Sequence, residues 1–352
     1  MSLTPRPPTY RDIAQKAGVS TAAVSFALRD DPRISAPVRA KIRQAAKQLG
    51  YKPNPLLSAY QASVRAQKPA KFHAVLGWIN DCFDKDEWKK PWQKPFLEGA
   101  RERASELGYQ LDEIWIPNIN IFDPQGNAAQ WQKILRARGI HGVLLPTINR
   151  AHHALLPWDG FSVVCLGNHH LLTENSTIPI LQSYGHHILS SDFFYNIHLA
   201  LKKLEAHGHQ KIGLVLSDYM DRETDLAYSS GYLQNQHYLP PKRQLPILHN
   251  DQVDLVAAWT KKYQPSAVIC SHPEVKKGVL KAGLRVPQDV VLAHLNLASD
   301  VSGWSGINRR SNYVGSAAVD MLSSQLIMNE TGTPIFAKKL VIEGVWVDGS
   351  PA

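Results

Sequence analysis

The architecture of the N-terminal region follows from the stretch TYRDIAQKAGVSTAAVSFAL, residues 9–28. Thr9 is a residue type that caps helices, and the apolar residues after it recur at helical spacing, which predicts a two-turn helix. Gly18 supplies the left-handed backbone that ends this helix. Ser20 then caps a second helix that runs to about Arg29. Two short helices joined by so tight a turn are typical of a helix–turn–helix.

A third helix is predicted between Ser35, again a capping residue type, and Gly50, which ends it. The apolar residues of the three helices share one face of each helix, and Val19 is expected as a buried plug in the turn. The inward positions are Ile13, Ala14, Ala17, Val24, Ala27, Leu28, Val38, Ile42, Ala45, Ala46 and Leu49. These residues predict a small all-α core.

The positive charge of the chain is concentrated in the same region. Residues 1–71 hold thirteen lysines and arginines against three acidic residues, whereas the remaining 281 residues hold 26 basic and 27 acidic ones. Such asymmetry suggests a module that binds a polyanion, joined to a neutral body. A solvated basic surface without a partner is the alternative. Charge alone does not distinguish DNA from RNA or an acidic membrane.

Several segments of this region resemble, without gaps, the N-terminal domain of the lactose-repressor (LacI/GalR) family. They are residues 9–20, 24–25, 32–35 and 49–54. The resemblance implies a dimeric, repressor-type transcription factor whose second helix enters the DNA major groove. It also implies that the segment after Asn54 is a hinge helix, which folds on operator DNA and wedges an apolar side chain into the minor groove.

Two groups of residues in this head are expected to contact double-stranded DNA. The first group presents polar groups that can reach phosphates and fix the register without reading sequence. It comprises Thr9, Tyr10, Ser20, Ser25, Arg29, Arg33, Ser35 and Tyr51. The resemblance places a second, base-reading group at Thr21, Ala22 and Phe26.

Phe26 departs from the family pattern, in which an arginine that reads guanine is common at this position. A threonine methyl, an alanine and a phenylalanine ring favour thymine methyl groups instead. We therefore expect half-sites whose recognition depends on T·A pairs. The alternative is that Phe26 packs inward or against the hinge.

The hinge segment begins with Asn54 as a cap and Pro55 at the first helical position. Tyr60 falls where the family usually has a leucine wedge, and Leu57 could assist it in kinking DNA. These residues could instead serve only as a contact between the paired hinges of a dimer.

From Phe72 onward, predicted strands and helices alternate with short connections, which indicates an α/β body with parallel sheets. Among the predicted elements are a helix over residues 224–236 and a strand over residues 245–249. The order restarts near residue 185, so the body divides into two similar lobes.

The predicted domains are a helix–turn–helix head at residues 1–53, a hinge helix and linker at 54–71, and a two-lobed core at 72–352. Within the core, one lobe is expected at approximately residues 72–172 plus 304–332 and the other at approximately 173–303 plus 333–352.

The core resembles, more weakly, the effector-binding core of the same family, which has a periplasmic-binding-protein fold. The resemblance rests on residues 96–100, 139–143, 207–212 and 286–290. In this architecture a small-molecule effector lies between the lobes at the carboxyl ends of the strands. The effector changes the angle between the lobes and hence the separation of two DNA-binding heads.

The expected cleft departs from the family in its polar groups, because neutral residues stand where an arginine and acidic residues are frequent. The candidate effector-binding residues are Asn80, Asn168, Thr224, Tyr228, His272 and Asn296. Neutral donors and acceptors favour an uncharged, hydroxyl-rich molecule such as a sugar or polyol. Arg222 could restore recognition of charge, and a cleft that binds nothing is a further alternative.

Other motifs point to no chemistry. The histidine pairs, among them His186-His187, lack further ligands at metal spacing and are expected in loops or on the surface. No nucleotide-binding glycine motif and no catalytic constellation is present in the sequence, so neither a cofactor nor an enzyme is expected. Three widely spaced cysteines and the lack of a signal segment favour a cytoplasmic protein away from the membrane.

Three classes of protein remain. A ligand-responsive, DNA-binding transcriptional regulator accounts for the charge distribution, the helix–turn–helix and the body together. A solute-binding protein accounts only for the body, and an enzyme-like core with an appended DNA-binding head needs reactive groups that the sequence does not supply. The final residues carry no leucine heptad, so a homodimer on a pseudo-palindromic operator is expected.

Overall fold

The computed structural model describes residues 10–28, 34–49, 51, 74–80, 85–116, 124–146, 158–167, 185–297 and 303–349. It confirms a mixed α/β chain with a small helical head. Its α-helices are α1 (Tyr10–Ala17), α2 (Thr21–Leu28), α3 (Ala36–Gln48), α4 (Lys94–Glu106), α5 (Pro124–Ala137), α6 (Phe193–Ala206), α7 (Asp218–Glu223), α8 (Ala227–Tyr238), α9 (Val253–Tyr263), α10 (Val275–Lys281) and α11 (Ser311–Met328). None of the helices in these ranges is both long and apolar enough to cross a bilayer.

The strands form two sheets in the order β10-β5-β4-β3-β1-β2 and β11-β9-β8-β7-β6. They are β1 (Ala74–Asn80), β2 (Tyr109–Trp115), β3 (Ile140–Pro146), β4 (Ser162–Leu166), β5 (His187–Ser191), β6 (Ile212–Val215), β7 (Ala267–Cys270), β8 (Val291–His294), β9 (Ser305–Asn308), β10 (Lys339–Ile342) and β11 (Val345–Val347). All the pairings are parallel except that of β11 with β9. We call the six-stranded sheet with its helices the first lobe and the five-stranded sheet with its helices the second lobe.

The head has a core of its own, built from the inward faces of α1, α2 and α3. Ile13, Val24 and Ile42 are fully buried at its centre. Gly18 has a φ of +65°, as expected for the residue that ends α1, whereas Val19 is only half-buried. Each helix is too short to be stable alone, so their mutual packing holds the bundle together.

Glycines bring two helices of the first lobe into close contact. A Cβ on Gly99 of α4 would lie 1.9 Å from the Asn312 carbonyl oxygen, and one on Gly315 of α11 would lie 2.0 Å from the Phe96 carbonyl oxygen. Only residues without a Cβ fit at this crossing. The crossing fixes α11 on the first lobe, although α11 follows a strand of the second.

Chain segments cross between the lobes at three places. The first crossover joins β5 to α6 at Asp192, the second joins β9 to α11 through Arg309 and Arg310, and the third joins β10 to β11 through Glu343 and Gly344. The carboxyl ends of the strands in both lobes face the gap that these crossovers span.

The predicted division of the core at residues 172/173, 303/304 and 332/333 is wrong at all three places. Strand β5 belongs to the first sheet, β9 to the second, and β10 to the first. Both β5 and β9 contain polar residues and only four or five positions, so their apolar pattern is weak. Sheet membership is decided by which neighbouring strand completes their backbone hydrogen bonds.

Two smaller predictions also differ from the structure. The helix predicted over residues 224–236 begins three residues later, at Ala227, because Asp225 and Leu226 have positive φ between α7 and α8. The strand predicted over residues 245–249 makes only an isolated bridge between Leu248 and Val215.

The histidines at the start of β5 are buried rather than on the surface. His186 and His187 are each 3% exposed, and Nδ1 of His187 accepts a hydrogen bond from the Lys338 backbone N–H at 2.9 Å. Burial lowers the pKa of His186 to about 4, so its imidazole is neutral in the folded protein at neutral pH.

Candidate functional site

The head exposes polar side chains where its helices begin. Ser20 precedes α2 and its Oγ accepts a hydrogen bond from the Ala23 backbone N–H at 3.1 Å, so the predicted cap is present. Its hydroxyl hydrogen can still be donated to a phosphate. Thr21 and Ser35 are also exposed, although the Ser35 side chain makes no capping hydrogen bond to α3.

Two tyrosines lie side by side at one end of the bundle. The ring centroids of Tyr10 and Tyr51 are 5.6 Å apart, and the Tyr51 backbone N–H donates to the Ala46 carbonyl at the end of α3. Burial, together with the neighbouring Tyr10, raises the pKa of Tyr51 to about 12. The Tyr51 hydroxyl therefore stays protonated and able to donate.

Basic side chains surround these groups. Arg11 and Lys16 on α1, and Lys41, Arg43 and Lys47 on α3, are all exposed. This distribution gives the bundle a cationic outer surface of the kind that binds a phosphate backbone.

The predicted base-reading residues lie on α2. Thr21 is exposed at its first position, and Phe26 is half-buried in its last turn. The side chains of Ala22 and Ser25 fall outside the described part of the chain. So do the predicted residues Thr9, Arg29, Arg33, Asn54, Leu57 and Tyr60.

A cavity of about 430 Å³ lies between the two lobes at the carboxyl ends of their strands. Five aromatic side chains contribute to its wall, and polar groups from both lobes converge on it. The aromatic residues are Trp78, Trp92, Phe96, Phe193 and Tyr219. The size and the mixture of apolar surface with a few polar groups are those of a small-molecule site.

Arg309, in the second crossover, presents a cationic group to this cavity. Its Nε donates to the Leu295 carbonyl at 3.0 Å, and its guanidinium carbon lies 5.2 Å from the Phe193 ring centroid and 5.7 Å from that of Tyr228. The backbone bond and the two rings hold the guanidinium in one orientation.

Glu223, the last residue of α7, places an acidic group in the cavity wall. Burial, and to a smaller extent the nearby Asp225, raises its pKa to about 7. The carboxyl group is therefore partly protonated at neutral pH and can donate as well as accept hydrogen bonds.

On the first-lobe side of the cavity, two buried polar atoms have no hydrogen-bond partner among the described residues. They are Nε1 of Trp78 and Oγ of Ser190, and each residue is 1% exposed. Buried donors are normally satisfied, and leaving one unpaired costs about 1–3 kcal/mol. A bound ligand with acceptor atoms would satisfy both.

The structure brings three of the predicted effector-binding residues to this cavity. Thr224, His272 and Asn296 line it, although the Thr224 hydroxyl donates to carbonyl groups at the end of α7. Asn80 is buried but does not line the cavity, and its Nδ2 donates to the Lys85 carbonyl at 3.4 Å. Asn168 lies outside the described residues.

The prediction for Tyr228 is wrong, because its side chain is fully buried in the second lobe. Its ring packs edge-on against Phe193 with 5.5 Å between centroids, and its hydroxyl donates to the Leu295 carbonyl. The Tyr228 ring packs against the Arg309 guanidinium. It does not line the cavity.

The prediction of a cleft with only neutral polar groups is also wrong, because Arg309 and Glu223 both line it. Sequence reasoning missed Arg309 because β9, which precedes it, was not recognised. A search for charged residues at the carboxyl ends of all strands would have found it. Trp78 could have been found in the same way, since it lies near the carboxyl end of β1.

Comparison with known proteins assigns both parts of the chain. The family described as bacterial regulatory proteins, lacI family, matches residues 9–54, and a periplasmic binding protein-like domain matches residues 201–349. The transcriptional repressor CytR of Escherichia coli (strain K12) is 44% identical over 303 residues, which cover 80% of this chain and 78% of CytR.

Two solved structures share the fold along nearly the whole chain. The transcriptional regulator CelR in complex with cellobiose has a TM-score of 0.53 and 16% identity, and covers 97% of this chain and 98% of its own. The lac repressor dimer bound to operator and the anti-inducer ONPF has a TM-score of 0.51 and 16% identity, and covers 98% of each chain. With the helix–turn–helix head, the two-lobed core and the identity with CytR, the chain belongs to the lacI family and is a DNA-binding transcriptional regulator.

Proposed function

We propose that the protein is a ligand-responsive repressor that binds a pseudo-palindromic operator as a homodimer and is controlled by a small molecule in the cleft. One observation carries this proposal: the cavity is lined from both lobes and by residues of the crossovers, while the basic head is a separate bundle. A ligand that prefers one angle between the lobes shifts the population of that angle. In a two-fold dimer, the angle decides how the two heads are spaced on DNA.

The head supports duplex binding through two kinds of contact. Exposed basic residues on α1 and α3 supply charge, and Ser20 and Tyr51 supply hydroxyl donors to phosphates. Thr21, Ala22 and Phe26 are the proposed base-reading residues. Because phosphate contacts dominate, affinity should fall steeply with salt, with a logarithmic slope of about −0.9 per phosphate neutralised.

Selection from a randomised duplex library with the full chain tests DNA binding, followed by titration of the selected duplex at several salt concentrations. We expect a pseudo-palindrome bound with a steep salt dependence. A chain that retains no duplex at low salt, yet binds a sugar, would be a solute-binding protein instead. Turnover of a bound sugar would favour an enzyme-like core.

For the effector, we propose an uncharged, polyhydroxylated ring compound such as a sugar. Aromatic faces suit the apolar side of a sugar ring, while Trp78 and Ser190 offer donors to its oxygens. Arg309 and a partly protonated Glu223 offer further hydrogen bonds without requiring an anion. The CelR structure holds cellobiose in the same fold, which supports this class of ligand.

Thermal-shift measurements with matched neutral and anionic compounds test the effector class, for example D-glucose against glucose 6-phosphate and cellobiose against cellobionate. We expect stabilisation by neutral members. Stabilisation only by phosphorylated or carboxylated members would contradict the proposal, because Arg309 would then act as an anion site.

A matched pair of serine variants locates the ligand. Ser190→Ala removes a hydroxyl with no protein partner in the described residues, so the unliganded protein should be at least as stable as before, and sugar binding should weaken by about 0.5–1.5 kcal/mol. Ser323→Ala is the control, because its Oγ contacts the Tyr109 hydroxyl at 3.2 Å in the first lobe and it does not line the cavity. Equal weakening by both variants would place the ligand elsewhere.

A further inference from the structure

The buried side chain of Asn196, in the first turn of α6, bonds two of the three crossovers directly and the other through Ser191. Asn196 is fully buried. Its Nδ2 donates to Oγ of Ser191, the last residue of β5, at 2.9 Å. Its Oδ1 accepts from the backbone N–H of Gly344 in the third crossover, also at 2.9 Å. One amide therefore ties the first crossover to the third.

Ser191 extends this link to the second crossover. Its Oγ accepts from Asn196 and donates to the Arg309 carbonyl oxygen at 3.5 Å. The first and third crossovers are also joined directly, because the Asp192 backbone N–H donates to the Ile342 carbonyl at 2.8 Å. The three segments on which any rotation between the lobes must occur are thus hydrogen-bonded to one another.

Gly344 shows how closely the third crossover lies against this amide. A Cβ at Gly344 would be 2.5 Å from Oδ1 of Asn196 and 3.0 Å from the Asn308 carbonyl oxygen, next to the second crossover. Glycine is therefore required at position 344 because a side chain would collide with these neighbours, and not because the backbone has an unusual φ. Any larger residue would push the third crossover away from the other two.

The same segments form part of the ligand cavity. Ser191, Phe193 and Arg309 belong to or flank the crossovers, and all three line the cavity. A ligand that contacts Ser191 or Arg309 would thus act directly on the hydrogen-bonded group around Asn196. No intermediate chain of contacts between the cleft and the crossovers is needed.

We propose that Asn196 is a positioning residue that sets the angle between the lobes and transmits occupancy of the cleft to all three crossovers together. The inference rests on the proposed function, since it assigns regulation to that cleft. Replacing the amide should separate the crossovers and let the lobes sample more than one angle. The folds of the head and of each lobe should be retained, because Asn196 lies in neither the head core nor the first-lobe core.

The distance between spin labels on the two lobes of the full chain tests this proposal. Glu102 on α4 and Lys276 on α10 are exposed positions for labelled cysteines, in a Cys82→Ser background, while Cys165 and Cys270 are buried. We expect one narrow distance distribution for the labelled parent protein and a shifted or broadened one for Asn196→Ala. An unchanged distribution in Asn196→Ala would overturn the proposal.

Gln236→Ala is the matched control. Gln236 is also a buried amide, and its Oε1 accepts from the Leu245 backbone N–H at 2.7 Å, but both groups belong to the second lobe. This variant should lose stability without a change in the interlobe distance. If Asn196 had a merely structural role, Asn196→Ala would also lower the melting temperature and leave the interlobe distance unchanged. That result would count against the inference.

Two milder variants carry the test if Asn196→Ala does not fold. Asn196→Asp keeps an acceptor for Gly344 but would draw the Ser191 hydroxyl hydrogen away from Arg309, and Gly344→Ala displaces the third crossover with the amide intact. Each should alter the distance distribution, and two unchanged distributions would overturn the inference. Failure of the parent protein to bind duplex DNA would instead contradict the proposed function, whatever the distances show.

Discussion

The head and the interlobe cleft build their surfaces in opposite ways. In the head, the described candidate contacts lie between Tyr10 and Tyr51, on three consecutive helices with a common core. The groups around the cleft come from positions as far apart as Trp78 and Arg309, on both sheets. The first surface is set by local helical geometry, and the second by how distant strands are assembled.

This difference explains why the two regions tolerate change differently. A small bundle has little stability in reserve, so one core substitution can remove the whole surface. The lobes bury several hydrophobic clusters, and the cleft can change its polar groups while the surrounding sheets remain. Each prediction below tests one side of this contrast.

The largest effect is expected in the head core. Ile42→Ala should cost about 2–5 kcal/mol because Ile42 is fully buried. We expect loss of duplex binding while the main thermal transition of the lobes is unchanged. Gly315→Ala should do the opposite, lowering the transition of the lobes and sparing DNA binding, since its Cβ would meet the Phe96 carbonyl. If Ile42→Ala also lowered the main transition, the head would not be an independent unit.

The next effect concerns acid. The folded-state pKa of His186 is about 4 against an ordinary value of 6.5, so below pH 6.5 the unfolded chain takes up a proton that the folded chain refuses. The free energy of unfolding of the first lobe should therefore fall as pH drops from 6.5 to 4, by on the order of 3 kcal/mol. Urea unfolding of the protein and of His186→Phe at pH 7 and pH 4.5 measures this loss. Equal losses in both would exclude His186 as the cause.

A smaller effect is expected in sequence reading. Phe26→Arg should move the preferred pair at its position from T·A towards G·C, with discrimination of about 1–3 kcal/mol. Arg11→Gln, which alters only an exposed charge on α1, should weaken binding to all sequences alike. An invariant guanine opposite Phe26 in the duplexes selected by the unaltered protein would contradict the thymine-methyl interpretation.

The smallest effect concerns an ion pair between the lobes. Nζ of Lys339 on β10 lies 2.9 Å from Oδ2 of Asp225, which follows α7 of the second lobe, and the two side chains are 49% and 17% exposed. Lys339→Met should cost less than about 1 kcal/mol, and the cost should vanish at high salt. Lys94→Met, which removes a pair within α4 of the first lobe, is the control. A large loss of stability in Lys339→Met that did not depend on salt would show that Lys339 contributes through a contact other than the ion pair.

The amino-acid sequence alone determined those helices whose apolar residues recur at helical spacing. The inward residues of α1 and α3, the left-handed Gly18 and the cap by Ser20 follow from helical periodicity and residue type, and each appears as expected. For the cleft, Thr224, His272 and Asn296 were predicted from the family resemblance rather than from periodicity, and all three line the cavity.

Only the tertiary structure decided to which lobe β5, β9 and β10 belong, and which polar groups face the cleft. Tyr228 occupies a position compatible with either the cavity or the core, and packing against Phe193 places it in the core. Arg309 enters the cavity because β9 joins the second sheet and the chain then returns to the first lobe. The periodicity of apolar residues predicts which positions are buried, but it does not identify the distant segment that packs against them. The cleft is formed by segments that are distant in the sequence, so its lining depends on the tertiary structure.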